Sequence, residues 1–329
     1  MMTSTSDSCK EASKLDDVCE VNDMLQNMST ADDDVSVCAN CGKKGSDVNN
    51  ICNKCKQVKY CNAACKKKHR SKHKKDCDRR VAELHDEKLF AKPPPKEDCP
   101  ICFIRLPELD TGRKYKTCCG KEICSGCSYA PVYDNQGNKV DEKKCAFCRT
   151  PWPKSRDEAI ERANKRMEKD DAIAIYNIGV FYRDGSNGFP QDYTKALELW
   201  HRAAELGNAK SYCNIGYAHD YGEGVEVDKK KAIHYYEQAA MLGHTGARYN
   251  LGLNEVDADN FDRAIKHFMI AIRDGYADSL DKIKQLYTKG YATKDDYTKA
   301  LQLYQTYLGE IKSRQRDEAA AANEENRYY

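Results

Sequence analysis

Between residues 99 and 148 the chain reads CPIC at 99–102, TCCGKEICSGC at 117–127 and CAFC at 145–148. A Cys-x-x-Cys turn presents two thiolates to one ion, and a second pair from elsewhere completes the four ligands of a tetrahedral metal. Several such pairs separated by tens of residues point to structural zinc. A second cluster precedes this one: CANC at 38–41, CNKC at 52–55, YCNAAC at 60–65, then His73 and Cys77. Catalytic zinc keeps an open position beside three protein ligands, whereas both clusters supply two full sets of four. The expected cofactor is therefore zinc, up to four ions, in a structural role.

The ligand order over 99–148 resembles a RING finger, whose first and third pairs share one zinc and whose second and fourth share the other. The resemblance implies that Cys99, Cys102, Cys124 and Cys127 hold one ion and Cys118, Cys119, Cys145 and Cys148 the other. The second pair departs from the family, because Lys121 falls where a histidine usually stands and lysine stays protonated at neutral pH. Adjacent Cys118 and Cys119 need a tight backbone turn to reach one ion. Residues 38–77 resemble a MYND finger, including Tyr60 before the fifth ligand and the closing His-x-x-x-Cys. That resemblance implies Cys38, Cys41, Cys61 and Cys65 at one zinc, and Cys52, Cys55, His73 and Cys77 at the other. Arg70 stands where the family usually has tryptophan, and His69 is read as a surface residue. Forty residues make too small an apolar core to fold alone, and two crossed metal sites substitute for one.

These modules must sit within 329 residues, enough for two or three domains. The net charge of +2 gives no global preference for nucleic acid or acidic membranes, but its distribution is uneven. Residues 1–37 carry nine acidic and two basic side chains, and residues 38–92 carry sixteen basic and six acidic. The first stretch is polar and aperiodic and reads as a disordered acidic tail. The run KKKHRSKHKKDCDRR at 66–80 invites a nucleic-acid reading. At helical spacing it places His73 and Cys77 on one face with lysines facing water. No aromatics interleave the lysines, so base stacking is unsupported and nucleic acid is not an expected partner. There is no signal-peptide core and no apolar run near the ~20 residues of a membrane span. Of the eighteen cysteines, fifteen fall at metal-like spacing between 38 and 148. An intracellular, reduced compartment, cytoplasm or nucleus, is expected. Cys9, Cys19 and Cys213 are left over as inert thiols.

A helical segment at 79–92 ends at Pro93-Pro94-Pro95, so 78–98 reads as a helix and proline linker between fingers at 38–77 and 99–150. Beyond Pro151-Trp152-Pro153 the chain becomes repetitive. Marker alanines at 196, 232, 264 and 300 step by 36, 32 and 36 residues; glycines at 207, 243 and 275, and at 179, 216 and 252, keep the same steps. Asp192, Asp228, Asn260 and Asp296 are expected helix N-caps, and Gly207, Gly243 and Gly275 left-handed C-caps. Each repeat is thus a helix pair, the third shortened by loss of its inter-helix loop. Such a period indicates a helical solenoid of the tetratricopeptide class, and residues 214–247 resemble a Sel-one-like repeat. Tyr182, Trp200, Tyr221 and Tyr236 are read as core. The fold class is small zinc-stabilised α+β modules followed by an all-α helical-repeat solenoid over 157–312. Residues 313–329 form a charged C-terminal tail, read as a fraying cap.

No nucleophile elbow, phosphate loop or HExxH motif is present, nor a counterpart of the SET domain that accompanies some MYND fingers. The RING resemblance implies a ubiquitin ligase that docks a ubiquitin-conjugating enzyme and works by orientation, without a covalent intermediate. Ile101 and Phe147 match the family's docking surface, and Arg149 matches an arginine that clamps ubiquitin. The MYND resemblance implies binding of proline-containing peptides, with the repeats gripping further substrates. The alternative is a non-enzymatic adaptor in which both fingers are zinc-stapled interaction surfaces.

Overall fold

A computed structural model describes residues 36–133, 136–140 and 144–329. The tail expected at 1–37, with Cys9 and Cys19, lies almost wholly outside the described residues. The chain divides into two compact units, residues 1–86 and 87–329.

In the first unit, strand β1 (Asn50–Ile51) pairs antiparallel with β2 (Lys59–Tyr60). Helix α1 follows as one element, Ala63–Leu89. Asn62 Oδ1 accepts the Cys65 N–H at its start (2.8 Å), and lysines 67, 68, 72, 74 and 75 face solvent while His73 and Cys77 are buried. The core is Cys38, Val48, Cys52, Cys55, Tyr60 and Cys77, four of them cysteines. So little aliphatic area leaves the fold dependent on what the thiols bind.

The second unit opens with the C-terminal end of α1, where Leu89 is buried among Tyr236, Ala239, Ala240 and Leu251. Strands β3 (Arg113–Lys116) and β4 (Lys121–Cys124) form an antiparallel hairpin in register Arg113↔Cys124. Helix α2 (Ser125–Tyr129) and a short hairpin, β5 (Val132–Tyr133) with β6 (Lys139–Val140), complete the finger. Helix α3 (Arg156–Met167) leads into four helix pairs: α4 (Ala172–Asp184) with α5 (Tyr193–Glu205), α6 (Ala209–Tyr221) with α7 (Lys229–Met241), α8 (Thr245–Asp257) with α9 (Phe261–Arg273), and α10 (Asp278–Thr288) with α11 (Lys294–Ile311). The last helix is α12 (Arg314–Ala322).

The repeat glycines have a steric cause. A Cβ on Gly179 would meet the Trp200 indole at 2.6 Å, on Gly216 the Tyr236 ring at 2.8 Å, and on Gly252 the Phe268 ring at 2.5 Å. The first helix of each of the first three pairs thus gives up a side chain to admit a large ring from its partner. Gly207, Gly243 and Gly275 all take positive φ just after their helices. Asp192 and Asp228 cap α5 and α7 as expected. Two caps differ. Asn260 precedes α9 but makes no capping bond, its side chain turning to Glu255 instead. Helix α11 starts earlier, at a capping box of Thr293 with Asp296 in the third position. Trp200 and Tyr236 are core, Tyr182 is partly buried, and Tyr221 is 63% exposed, its ring tilted against Tyr217 at the surface. The C-terminal segment does not behave as a fraying tail: Ala319 and Tyr328 are buried, and α12 packs on α2 of the finger.

The finger and the repeats are therefore one body. The segment 96–115 crosses the N-terminal turns of successive first helices. Tyr115 donates to Asp171, the N-cap of α4 (2.9 Å). Asp110 pairs with Lys210 at the start of α6, and Glu108 accepts from Thr245 at the start of α8. Carboxylates at helix N-termini also complement the helix dipoles. The Glu108 N–H donates to Tyr307 (2.7 Å), and Lys96 donates to the Gly243 carbonyl (2.8 Å).

One consequence of this packing is acid sensitivity. His244 caps α8 by accepting the Ala247 N–H at Nδ1 (3.1 Å), which only neutral imidazole does. Burial drives its pKa down to about 4, Glu108 and Asp110 opposing and Lys210 and Lys96 assisting. Burial, with Arg248 and Arg263, holds buried His267 down to about 3. An unfolded histidine titrates near about 6.5, so the unfolded chain takes the proton first. Stability from these groups is whole above pH 6.5 and is lost as pH falls from there toward the folded values. We expect His244 alone to cost about 1–2 kcal/mol between pH 7 and pH 5. Urea titrations should show that slope flattened in His244→Asn, which keeps a capping oxygen. An equal slope in both proteins would contradict the assignment.

Candidate metal centres and docking surface

Four of the five Cys-x-x-Cys segments fold into one local structure, the fifth, Cys124–Cys127, opening helix α2 instead. The N–H of the residue after the second cysteine donates to the carbonyl of the first: Gly42 to Cys38 (2.9 Å), Lys56 to Cys52 (3.0 Å), Phe103 to Cys99 (2.9 Å) and Arg149 to Cys145 (2.9 Å). Those four residues have φ of +74°, +58°, +56° and +63°. The left-handed turn points both sulfurs inward. Short antiparallel bridges flank three of the turns, Val37↔Lys44, Asp98↔Arg105 and Lys144↔Pro151.

The sulfurs and the His73 imidazole gather into four groups, each with its ligand atoms within 4.8 Å of one another: Cys38, Cys41, Cys61, Cys65; Cys52, Cys55, His73, Cys77; Cys99, Cys102, Cys124, Cys127; and Cys118, Cys119, Cys145, Cys148. A tetrahedral zinc about 2.3 Å from each sulfur sets neighbouring sulfurs about 3.8 Å apart. The observed separations include Cys41–Cys61 at 3.6 Å, Cys52–Cys77 at 3.7 Å, Cys102–Cys124 at 3.8 Å and Cys119–Cys145 at 4.0 Å. Cys55 Sγ lies 3.3 Å from His73 Nε2. These distances are far beyond a disulfide, and the described cysteines are all free. The donor sets fit zinc, and in each group they make a closed set of four.

The adjacent pair is accommodated by the β3–β4 turn. The N–H groups of Cys119 and Gly120 both donate to the Lys116 carbonyl, and Gly120 takes φ of +70°. The chain reverses so tightly that Cys118 reaches Cys148 (3.3 Å) while Cys119 reaches Cys145. Lys121 points to solvent and is not in the group. His69 is likewise no ligand, but it is more than a surface residue. Its Nδ1 lies 3.2 Å from the Tyr60 hydroxyl, and its ring stacks on His73. Cys213 is buried, and burial pushes its thiol up to about 12, which keeps it unreactive. Arg70 is exposed.

At the tips of the two outer turns of the finger stand Ile101, half-buried against Cys102 and the Leu106–Ile123 core, and Phe147, 41% exposed. Arg149 is exposed in its left-handed turn. Phe103, absent from the sequence reading, is 77% exposed and widens this apolar surface. Its signal was an aromatic residue placed directly after the second cysteine of a turn. Helix α2 is covered by α12, while Phe103, Phe147 and Arg149 on the ligand turns are exposed.

Residues 38–77 match the MYND finger model, and residues 172–208, 209–244 and 285–306 match the Sel1 repeat. The chain thus carries a MYND finger, a zinc-binding module, and Sel1 repeats. The shortened pair α8–α9 accounts for the gap between the second and third matches, and residues 99–150 lie outside both. A stretch of 55 residues, 17% of the chain, is 38% identical to the E3 ubiquitin-protein ligase DA2 of Arabidopsis thaliana and spans 12% of that protein. Among solved structures, a Sel1 repeat protein from Oxalobacter formigenes is 26% identical, with 51% of this chain and 65% of that one covered and a TM-score of 0.40. A protective antigen present in uropathogenic Escherichia coli strains, with an SLR fold, is 22% identical over 53% of this chain and 37% of its own, with a TM-score of 0.41. Among the described residues no helix is long and apolar enough to cross a membrane.

Proposed function

We propose that the chain is a RING-type ubiquitin ligase of the cell interior. The finger at 99–150 docks a ubiquitin-conjugating enzyme, and the MYND finger and repeats recruit the protein to be modified. The observation that carries this reading is the pair of closed four-cysteine groups between 99 and 148, with Phe147 and Arg149 exposed on the last ligand turn and Ile101 half-buried on the first. Apolar side chains on two ligand turns and a guanidinium after the last ligand suit a protein partner that brings its own chemistry. Such a ligase needs no acid, base or nucleophile. Holding a ubiquitin thioester and an acceptor amine in a reactive arrangement converts a bimolecular step into an effectively unimolecular one. The likeness of 55 residues to a ubiquitin-protein ligase supports the same reading. Proteins are the partners in either reading, with proline-containing peptides assigned to the MYND finger.

A specific observation favours the adaptor as the contrasting reading. The finger is packed against the starts of α4, α6 and α8 and against α12, as a structural part of the repeat body would be. Ubiquitin-chain formation with a panel of conjugating enzymes separates the two. Wild type should form chains, and Ile101→Ala and Arg149→Ala should lose most of that activity while retaining zinc. Alanine keeps a Cβ in the left-handed turn at 149, so the guanidinium is removed without relieving the turn. No chains from fully zinc-loaded wild type would favour the adaptor.

A further inference from the structure

A zinc ion held by four thiolates carries a net charge of −2, and burying that charge demands a cation nearby. The group Cys118, Cys119, Cys145 and Cys148 has one from its own finger. Lys116, on β3, donates to Ser128 (2.8 Å), lies 5.1 Å from the centre of the Trp152 ring, and feels the field of those sulfurs. The group Cys99, Cys102, Cys124 and Cys127 is deeper, with three of its four cysteines at most 5% exposed. Its cation comes from the last helix of the chain.

Arg316 on α12 is completely buried and, among the described residues, pairs with no carboxylate. Its Nη1 donates to the carbonyls of Arg105 (2.8 Å) and Ile311 (2.6 Å), and its Nη2 to that of Ile104 (3.2 Å). The Ile104 carbonyl also accepts the Cys99 N–H (3.0 Å), so one oxygen joins the arginine to the ligand turn. Arg316 Nε is buried without a hydrogen-bond partner. Next to it, Gln315 Oε1 lies 3.8 Å from Cys127 Sγ. The approach is closed to the backbone: a Cβ on Gly126, between Cys124 and Cys127, would meet the Arg316 nitrogen at 2.8 Å. A buried cation without an anion is costly unless something nearby supplies the charge.

We propose that Arg316 is the counter-charge of the Cys99–Cys102–Cys124–Cys127 zinc site, so that metal binding in the finger and docking of α12 are a single coupled event. Arg316 is a positioning residue: it holds the ligand turn through Ile104 and balances the thiolates. Thr111 and Lys114 fasten the same segment by donating to the carbonyls of Arg327 (2.6 Å) and Glu325 (2.8 Å).

The test is zinc release from the full chain to a chromogenic chelator, with total zinc measured beforehand. Arg316→Met should release one ion of the four about 10- to 100-fold faster, the usual effect of losing an outer partner of a metal site. Arg316→Lys, which retains the charge, should stay near wild type. Unchanged release in Arg316→Met overturns the proposal. Equal acceleration in both variants also overturns it, because that reports packing and not charge. Should Arg316→Met fail to fold, hydrogen exchange in wild type decides. Amides of 314–322 should lose protection when zinc is stripped while those of α7 and α9 keep theirs, and protection retained at 314–322 overturns the coupling.

Discussion

His73→Ala should leave the chain one zinc short and unfold residues 38–62, with the helical repeats intact. Hydrogen exchange and zinc analysis read both effects. The expectation is large because the first unit has almost nothing else to hold it. Among its described residues, Val48 and Tyr60 are the buried side chains beyond the cysteines and His73, and β1 and β2 pair over two residues each. Structural zinc contributes on the order of 10–16 kcal/mol, which in so small a module is folding energy. The two groups interleave: Cys52 and Cys55 lie between Cys41 and Cys61 in sequence and join His73 and Cys77 on α1. Losing one ion therefore releases the loop that spaces the ligands of the other. The repeats have their own apolar clusters, around Trp200, Tyr236 and Phe268, and should keep their helical ellipticity.

Phe268→Ala should destabilise the repeat body by about 3–5 kcal/mol, the usual range for truncating a buried phenylalanine. Its ring is fully buried and fills the space vacated at Gly252, so the truncation opens a cavity that two close-packed helices do not collapse into. Gly252→Val fails from the opposite side, by forcing a side chain into the ring. Gly309→Ala is the control. Gly309 lies within α11, and a Cβ there meets nothing within 4 Å. That change should stabilise by about 0.5–1 kcal/mol through helix propensity and chain entropy. Urea unfolding followed by helical ellipticity ranks the three. A neutral Phe268→Ala would show that the glycine–ring pairs do not hold the helices together.

The periodic features were legible because each has a local cause. Cysteines separated by two residues announce a turn that points two sulfurs one way, and the glycines at 179, 216 and 252 mark the repeat step, though the rings packed against them came from the structure. Cap positions were less legible. Thr293 outcompetes Asp296 because a hydroxyl at the cap with a carboxylate three residues on satisfies two backbone donors at once. Tyr221 matched the expected core by type, yet it sits at the helix end, beyond the packed face. The continuity of α1 through Arg79 and Arg80 was legible because neither residue breaks a helix. What sequence did not disclose is long-range. Nothing in the local pattern around Arg316, Thr111 or Glu108 says that the last helix closes over the finger, or that the finger lies across the starts of three other helices. Those contacts join residues 56 to 216 positions apart.

The most direct measurement is single-turnover discharge of ubiquitin from a preloaded conjugating enzyme onto free lysine. It removes substrate recruitment from the question and leaves only the orienting surface. Zinc-loaded wild type should accelerate discharge at least tenfold over the conjugating enzyme alone, and Arg149→Ala should return the rate close to that baseline with its zinc content unchanged. Equal discharge with and without the wild-type chain, across the panel of conjugating enzymes, would contradict the ligase assignment and leave the finger as a zinc-stapled part of a repeat adaptor.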